Sequence, residues 1–119
     1  MDFEQIVNHC DIIRLKDQKV TKTLSVNFFR NIKTKFGEQY LLYNKKYNKI
    51  FFSNKQIYSY LSKITNLKQK DGFYYKDEEL SDIVTFKISK IEENHVSVSF
   101  INDNVRYKKQ CIELSDDEQ

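Results

Sequence analysis

The residues that this chain lacks exclude several classes of protein. It contains no Pro, Trp or Ala, and its 119 residues include two Gly, two Cys and two His. The absence of Pro excludes a polyproline segment, and two glycines are too few for a Gly-rich phosphate loop or a flexible linker. No apolar run approaches the roughly 20 residues that a membrane-spanning helix needs, so we expect no membrane partner. The length fits one globular domain.

The scarce cysteines and histidines also argue against catalysis. Cys10 and Cys111 can form at most one disulfide and cannot build a cysteine zinc site, which predicts an intracellular protein in the cytoplasm or nucleus of a host cell. His9 and Cys10 are neighbours, and neighbouring side chains of a helix point about 100° apart. The acids of residues 77–82 are typical of a solvated turn more than of a two-metal nuclease site. We predict no enzyme activity, no metal and no cofactor.

Charge is distributed unevenly along the chain. The formal net charge is +3, but residues 14–76 carry fifteen Lys and Arg against three acids. Residues 1–13 have a net charge of −3, and residues 77–119 have a net charge of −6. Such an asymmetry indicates a polyanionic partner or an acidic interaction tail.

Two segments have the apolar spacing of helices. Phe3, Ile6, Val7 and Cys10 follow Asp2 at helical intervals, which is typical of a short N-terminal helix with Asp2 as its N-cap. Asn54 can cap a second helix, predicted over 54–67, and this is the clearest helix in the sequence. Its apolar face would hold Ile57, Leu61, Ile64 and Leu67.

The remaining apolar residues alternate as in strands. Leu24, Val26 and Phe28 are predicted to lie on one face of a strand over 23–30, and a hairpin is predicted over 39–53 with its turn at 44–48. Residues 68–80 are predicted to form a loop, and later strands are predicted over 84–89, 96–100 and 105–114. Six or seven short strands with one clear helix between them predict a mainly β fold, a small antiparallel β-barrel or a compact α+β sheet.

Most of the aromatic residues lie within the basic middle of the chain. Residues 18–70 hold one acid, Glu38, against twelve Lys and Arg, and ten of the seventeen Phe and Tyr fall between residues 28 and 60. Single-stranded nucleic acid is bound by this combination, because cations follow the phosphates while rings stack on bases. The alternative is a solvated basic face over an aromatic core. The candidate phosphate ligands are Arg30, Lys33, Lys35, Lys45, Lys46, Lys49 and Lys55, and the candidate stacking rings are Phe36, Tyr40, Tyr43, Tyr47 and Phe52.

The segments 31–43 and 50–55 resemble part of a known family. Thr34-Lys35-Phe36-Gly37 is similar to the turn between early strands of single-stranded-DNA-binding OB-folds of the replication protein A-like and viral type. The predicted helix also falls where an OB barrel often carries one, between its third and fourth strands. The resemblance implies an OB-like barrel that binds single strands with little sequence specificity, DNA in preference to RNA, across its sheet face and flanking loops. It implies a role in replication, recombination or genome maintenance without catalysis or cofactor.

Three further expectations concern the whole chain. Residues 1–114 are expected to form a single OB-like domain, and residues 115–119 a disordered acidic tail that either solubilises the protein or screens its basic groove. The bias towards Lys, Asn, Ile, Tyr and Phe is typical of an AT-rich coding genome such as that of many viruses. The alternative function is a viral protein–protein interaction module that engages a host or replication factor. A homo-oligomer is compatible with either function.

Overall fold

The computed structural model describes residues 1–101, and β-strands dominate this part of the chain. The helices are α1 (Phe3–Asn8) and α2 (Lys55–Ser62), and a 3-10 turn covers Leu15–Asp17. The strands in chain order are β1 (Asp11–Ile12), β2 (Thr23–Val26), β3 (Phe28–Thr34), β4 (Gly37–Asn44), β5 (Lys49–Phe52), β6 (Lys68–Lys70), β7 (Phe73–Tyr75), β8 (Val84–Glu92) and β9 (His95–Ile101). The prediction of a mainly β fold is confirmed.

The strands form two sheets. The larger sheet has six strands in the order β1-β5-β4-β3-β7-β6, and the smaller has three in the order β2-β8-β9. The short pair β1–β5 is parallel, and the other pairs are antiparallel. Within residues 1–101 no pairing joins β5 to β9, so the described strands do not close into a barrel.

The six-stranded sheet is apolar on both faces and therefore has two cores. The inner core lies between the two sheets and α2, and its largest members are Leu24, Phe29, Leu42, Phe51, Ile57, Leu61, Phe86 and Ile88. The outer core lies on the opposite face of the six-stranded sheet, beneath α1, and contains Phe3, Val7, Phe28, Leu41, Tyr43, Ile50, Phe73, Tyr75 and Leu80. Adjacent residues such as Phe28 and Phe29 enter different cores because side chains alternate across a strand.

Asn27 marks the corner at which the chain passes from the small sheet into the large one. Its side chain is 2% exposed, and its backbone N–H donates to the Tyr43 carbonyl at 2.8 Å. Because this residue stands between β2 and β3, the alternation of side chains is interrupted there. Leu24 and Val26 therefore lie in the inner core and Phe28 in the outer core, so the prediction that the three share one face is wrong.

Two other segments differ from their predictions. The predicted loop over 68–80 contains the hairpin of β6 and β7, because Phe73 and Tyr75 are buried in the outer core. The helix predicted to reach Leu67 ends at Ser62, and the chain turns through Asn66, which has a φ of 69°. Ile64 and Leu67 nevertheless pack against the inner core. The predicted strand over 105–114 and the acidic tail over 115–119 lie outside the described residues.

Side chains around the start of α2 satisfy backbone groups of β9. Gln56 Oε1 accepts from the Val98 N–H at 2.8 Å, and Gln56 Nε2 donates to the Val98 carbonyl at 3.3 Å. Asn54 Oδ1 accepts from the Ile57 N–H, which confirms it as the N-cap, while its Nδ2 donates to the Val96 carbonyl. The Gln56 amide thus pairs with Val98 as the peptide group of a neighbouring strand would. This pairing matters because a backbone N–H or carbonyl that is shielded from water and left unpaired costs free energy of folding.

Replacing Gln56 by Ala tests whether its amide stabilises the edge of β9. The change leaves the Val98 N–H and carbonyl without their partner, so we expect the free energy of unfolding to fall by about 1–3 kcal/mol. Urea denaturation followed by circular dichroism measures it, with Lys55→Ala as the control because Lys55 is exposed. Equal urea midpoints for the two variants would show that Gln56 does not support the edge of β9.

Candidate nucleic-acid interface

The turn between β3 and β4 presents a phenylalanine ring to water. Thr34 Oγ1 accepts from the Phe36 N–H at 3.1 Å and donates to the Gly37 carbonyl at 2.8 Å, which closes the turn. Gly37 has a φ of 109°, a conformation that glycine adopts without strain. Phe36 is 81% exposed, and Lys35 Nζ lies 5.2 Å from its ring centroid. The turn therefore holds an apolar ring and a cation side by side at the surface.

Phe36 stands at one side of a groove of about 620 Å³, which we call the Phe36 groove. The first residues of β4, the start of α2 and the turn between β8 and β9 form its other walls. Its lining residues are Phe36, Glu38, Gln39, Ser53, Asn54, Lys55, Gln56, Tyr58, Asn94, His95 and Val96. An exposed ring, a lysine and several amide side chains can contact the base and the phosphate of a nucleotide.

A second cavity of about 880 Å³, the lysine cleft, lies at the other end of β4. Its walls include Lys22, Lys45, Lys46 and Tyr47, together with polar residues of β2 and of residues 79–82. Lys22 Nζ lies 4.1 Å and Lys46 Nζ 5.4 Å from the centroid of the Tyr47 ring. The hydrogen bond with Lys22, and then the charges of Lys22 and Lys46, lower the pKa of Tyr47. The cleft thus places three lysines and an aromatic ring beside two acids, Glu79 and Asp82.

Two buried asparagines fix the turn that carries these residues. Asn44 Oδ1 accepts from the Tyr47 N–H and its Nδ2 donates to the Ser25 carbonyl, both at 2.8 Å. Asn27 Oδ1 accepts from the Lys45 N–H at 2.8 Å. Because buried amides that bond to backbone groups are held in one geometry, the turn after β4 is tied to β2 and cannot move independently of it.

The outer face of the six-stranded sheet is covered by α1. Tyr43 is 6% exposed there, and its ring stacks on Phe28 with centroids 4.5 Å apart. Arg30 Nη1 lies 2.7 Å from Glu4 Oε1 of α1, and its guanidinium lies 4.7 Å above the Phe73 ring. A base therefore cannot stack on the Tyr43 ring, and Arg30 is already paired with a carboxylate. The structure places these two candidates under or against α1 and not on an open face.

The other predicted residues are divided among different surroundings. Tyr40 is half-buried beside the inner core and stacks on Tyr58 at 4.5 Å. Lys49 Nζ is paired with Asp11 at 3.0 Å, whereas Lys33 and Phe52 are exposed outside both cavities. The structure thus brings Lys35, Phe36 and Lys55 to one end of β4 and Lys45, Lys46 and Tyr47 to the other end.

Sequence reasoning missed several residues that line the two cavities. Lys22 lies well before the aromatic segment in the sequence, and it reaches Tyr47 through the pairing of β2 with β8 and the corner at Asn27. His95 and Asn94 enter the Phe36 groove from the turn between β8 and β9. The polar run 92–95 predicts this turn. The local sequence does not show that the turn lies beside the start of β4 and of α2.

Two of the acids in residues 77–82, Asp77 and Asp82, bond to neighbouring side chains. Asp77 Oδ2 accepts from the Ser81 hydroxyl at 2.7 Å, and this hydrogen bond is the main cause of its lowered pKa. Asp82 Oδ1 accepts from Asn27 Nδ2 at 2.8 Å. In the described part of the chain no three His, Cys, Asp or Glu side chains are arranged to hold a metal ion.

None of the helices in residues 1–101 is long and apolar enough to cross a membrane. No family model, curated protein or solved structure matches this chain.

Replacing Lys22 by Met tests the geometry of the lysine cleft. The change removes the hydrogen bond and the nearest charge that lower the pKa of Tyr47, so this pKa should rise towards its ordinary value. NMR titration of the tyrosine ring carbons measures it, with the Tyr47 signal assigned from Tyr47→Phe. Lys63→Met is the matched control, because Lys63 is exposed at the end of α2. An unchanged Tyr47 pKa in Lys22→Met would contradict the contact.

Proposed function

We propose that this chain is a non-catalytic, OB-like protein that binds single-stranded nucleic acid, DNA in preference to RNA. The observation that carries the proposal is the exposed Phe36 ring at the mouth of a groove, with a lysine beside it. Water is an unfavourable environment for such a ring, and its turn holds it there through specific hydrogen bonds. A stacked base would cover this ring.

The order and pairing of the strands support the OB-like part of the proposal. β2 and β3 act as one strand bent at Asn27, which pairs with β8 before the bend and with β4 after it. β4 continues to β5, α2 follows β5, and β8 pairs with β9. These connections are compatible with a five-stranded, partly open Greek-key barrel with a helix before its fourth strand, to which β6 and β7 add a hairpin at the free edge of β3. Asn54 and Gln56 stand where β5 and β9 would otherwise meet.

The distribution of charge supports a polyanionic ligand. Within residues 1–101, ion pairs engage Arg14, Arg30, Lys49, Lys68 and Lys90, which leaves most of the basic side chains without a carboxylate partner. Neutralising phosphates with such side chains releases counterions and makes binding depend on salt. The lysine cleft and Lys55 would supply these contacts.

The two cavities are separated by the length of β4. Its eight residues span about 25 Å at the usual rise of a strand, with the Phe36 groove at one end and the lysine cleft at the other. A single strand that contacts both ends falls within the range of about 4–16 nucleotides that one OB-fold covers. We therefore propose that one strand of nucleic acid contacts Phe36 at one end of β4 and Lys22, Lys46 and Tyr47 at the other, through the loops at these two ends, because both faces of the sheet between them are covered.

Replacing Phe36 by Ala tests the stacking contact. Loss of one stacked base costs about 1–3 kcal/mol, so the Kd for a fluorescently labelled dT oligonucleotide should rise at least about fivefold at low salt. Fluorescence anisotropy measures this Kd. Val20→Ala is the control, because Val20 is also an exposed apolar side chain but lies outside both cavities. Equal affinities of the wild type and Phe36→Ala would contradict the assignment of this ring.

The double variant Lys22→Gln/Lys46→Gln tests the phosphate contacts of the lysine cleft. A plot of log Kd against log salt concentration should become shallower by about 0.7 for each phosphate that the variant no longer neutralises. The control variant Lys16→Gln/Lys63→Gln removes the same charge at exposed positions that line neither cavity. If the control pair changes the salt slope as much as the cleft pair, binding reflects overall charge and not this site.

A further inference from the structure

Among the described residues, Glu38 is the one acid that lines the Phe36 groove, whereas Glu79 and Asp82 line the lysine cleft. Glu38 is also the single acid among residues 18–70, a segment with twelve basic side chains. A carboxylate repels the phosphates of a passing strand, so its presence in a groove for a polyanion weakens non-specific binding. Its position therefore calls for a compensating contact with the ligand.

No ion pair explains Glu38 within residues 1–101. Lys33 stands opposite it on β3, but the two side chains do not approach within the 4.0 Å of an ion pair. Asn31 Nδ2 donates to Glu38 Oε1 at 3.3 Å, and the Tyr58 hydroxyl lies 3.5 Å from the same oxygen. Both contacts reach Oε1, which orients the carboxylate and leaves Oε2 without a donor among the described residues.

We propose that Glu38 selects guanine at the position stacked on Phe36. This inference rests on the proposed function and concerns which base the same groove prefers. The Watson–Crick edge of guanine carries two adjacent donors, N1–H and the N2 amino group, and a carboxylate accepts two parallel hydrogen bonds from such a pair. Oε2 would accept one of these bonds, and Oε1 would accept the other in place of its 3.5 Å contact with the Tyr58 hydroxyl. Adenine, cytosine and thymine each place an acceptor beside their donor on that edge. That acceptor would face the second carboxylate oxygen and repel it.

The groove also contains donors for the remaining acceptor of guanine. The O6 atom lies next to N1, and Lys55 and Asn94, whose side chains carry donors, line the same groove. A base that stacks on Phe36 and faces Glu38 would thus meet one acceptor group and at least two donor groups. This combination of stacking and edge hydrogen bonds is how single-stranded bases are distinguished.

The test compares dT oligonucleotides that carry one central dG, dA, dC or inosine, with all-dT as the reference. The dG oligonucleotide carries a single guanine because guanine-rich strands pair with one another. We expect the dG oligonucleotide to bind the wild-type chain roughly five- to tenfold more tightly than all-dT, as for one exposed bidentate contact. Inosine lacks the N2 amino group and should lose most of this advantage.

The variant Glu38→Gln should bind all of these oligonucleotides with similar affinity, and its Kd for all-dT should fall below that of the wild-type chain, because a repulsive charge is removed. Asp71→Asn is the matched control. It removes one negative charge at the exposed turn between β6 and β7, outside the groove, and it should keep the preference for dG.

The outcomes separate this inference from the proposed function. If the wild-type chain binds all-dT and dG oligonucleotides equally while Phe36→Ala weakens both, the function stands and the guanine contact is wrong. If the preference for dG persists in Glu38→Gln, another group recognises the base and the inference is also wrong. If no oligonucleotide binds at low salt, both the function and the inference are overturned.

Discussion

The hydrogen bonds of Asn27 hold together the parts of this fold that would otherwise be independent. Its amide nitrogen donates to the Leu80 carbonyl at 2.9 Å and to Asp82 at 2.8 Å, while its oxygen accepts from the Lys45 N–H. One buried side chain thus connects the bend between the two sheets, the segment that leads into β8 and the turn after β4. Each of these bonds matters because an unsatisfied polar group at this depth costs about 1–3 kcal/mol.

This corner also explains how residues distant in sequence reach one cleft. Lys22 comes from the segment before β2, and Lys46 and Tyr47 come from the turn after β4. Asn44 extends the same connection, because it bonds both to the Ser25 carbonyl of β2 and to the Tyr47 N–H. The grouping of these lysines is therefore a property of the tertiary structure, in which Lys22 is half-buried and Lys45 and Lys46 are exposed.

Local signals in the sequence are sufficient for some elements and not for others. Asn54 as an N-cap followed by apolar spacing predicts α2, and the polar run 44–48 between apolar segments predicts the hairpin of β4 and β5. The burial of Tyr43 is not predictable in this way, because it depends on α1 packing Phe3 against Phe28 and Phe73 from the far side of the sheet. Alternation along β4 shows that Tyr43 and its neighbour at position 42 face opposite ways, but not that both faces are covered. The covered outer face limits where a ligand can bind, so the proposed path uses the two ends of β4 and the loops around them.

Mapping the interface by NMR tests the proposed path most directly. The ¹⁵N-labelled chain would be titrated with an unlabelled single-stranded dT oligonucleotide at low salt. We expect the largest chemical-shift changes at the amides of Phe36, Lys55 and His95, with smaller changes at Tyr47 and almost none at Phe3. Changes centred on α1 and the outer core, or no changes at saturating oligonucleotide, would contradict the proposal.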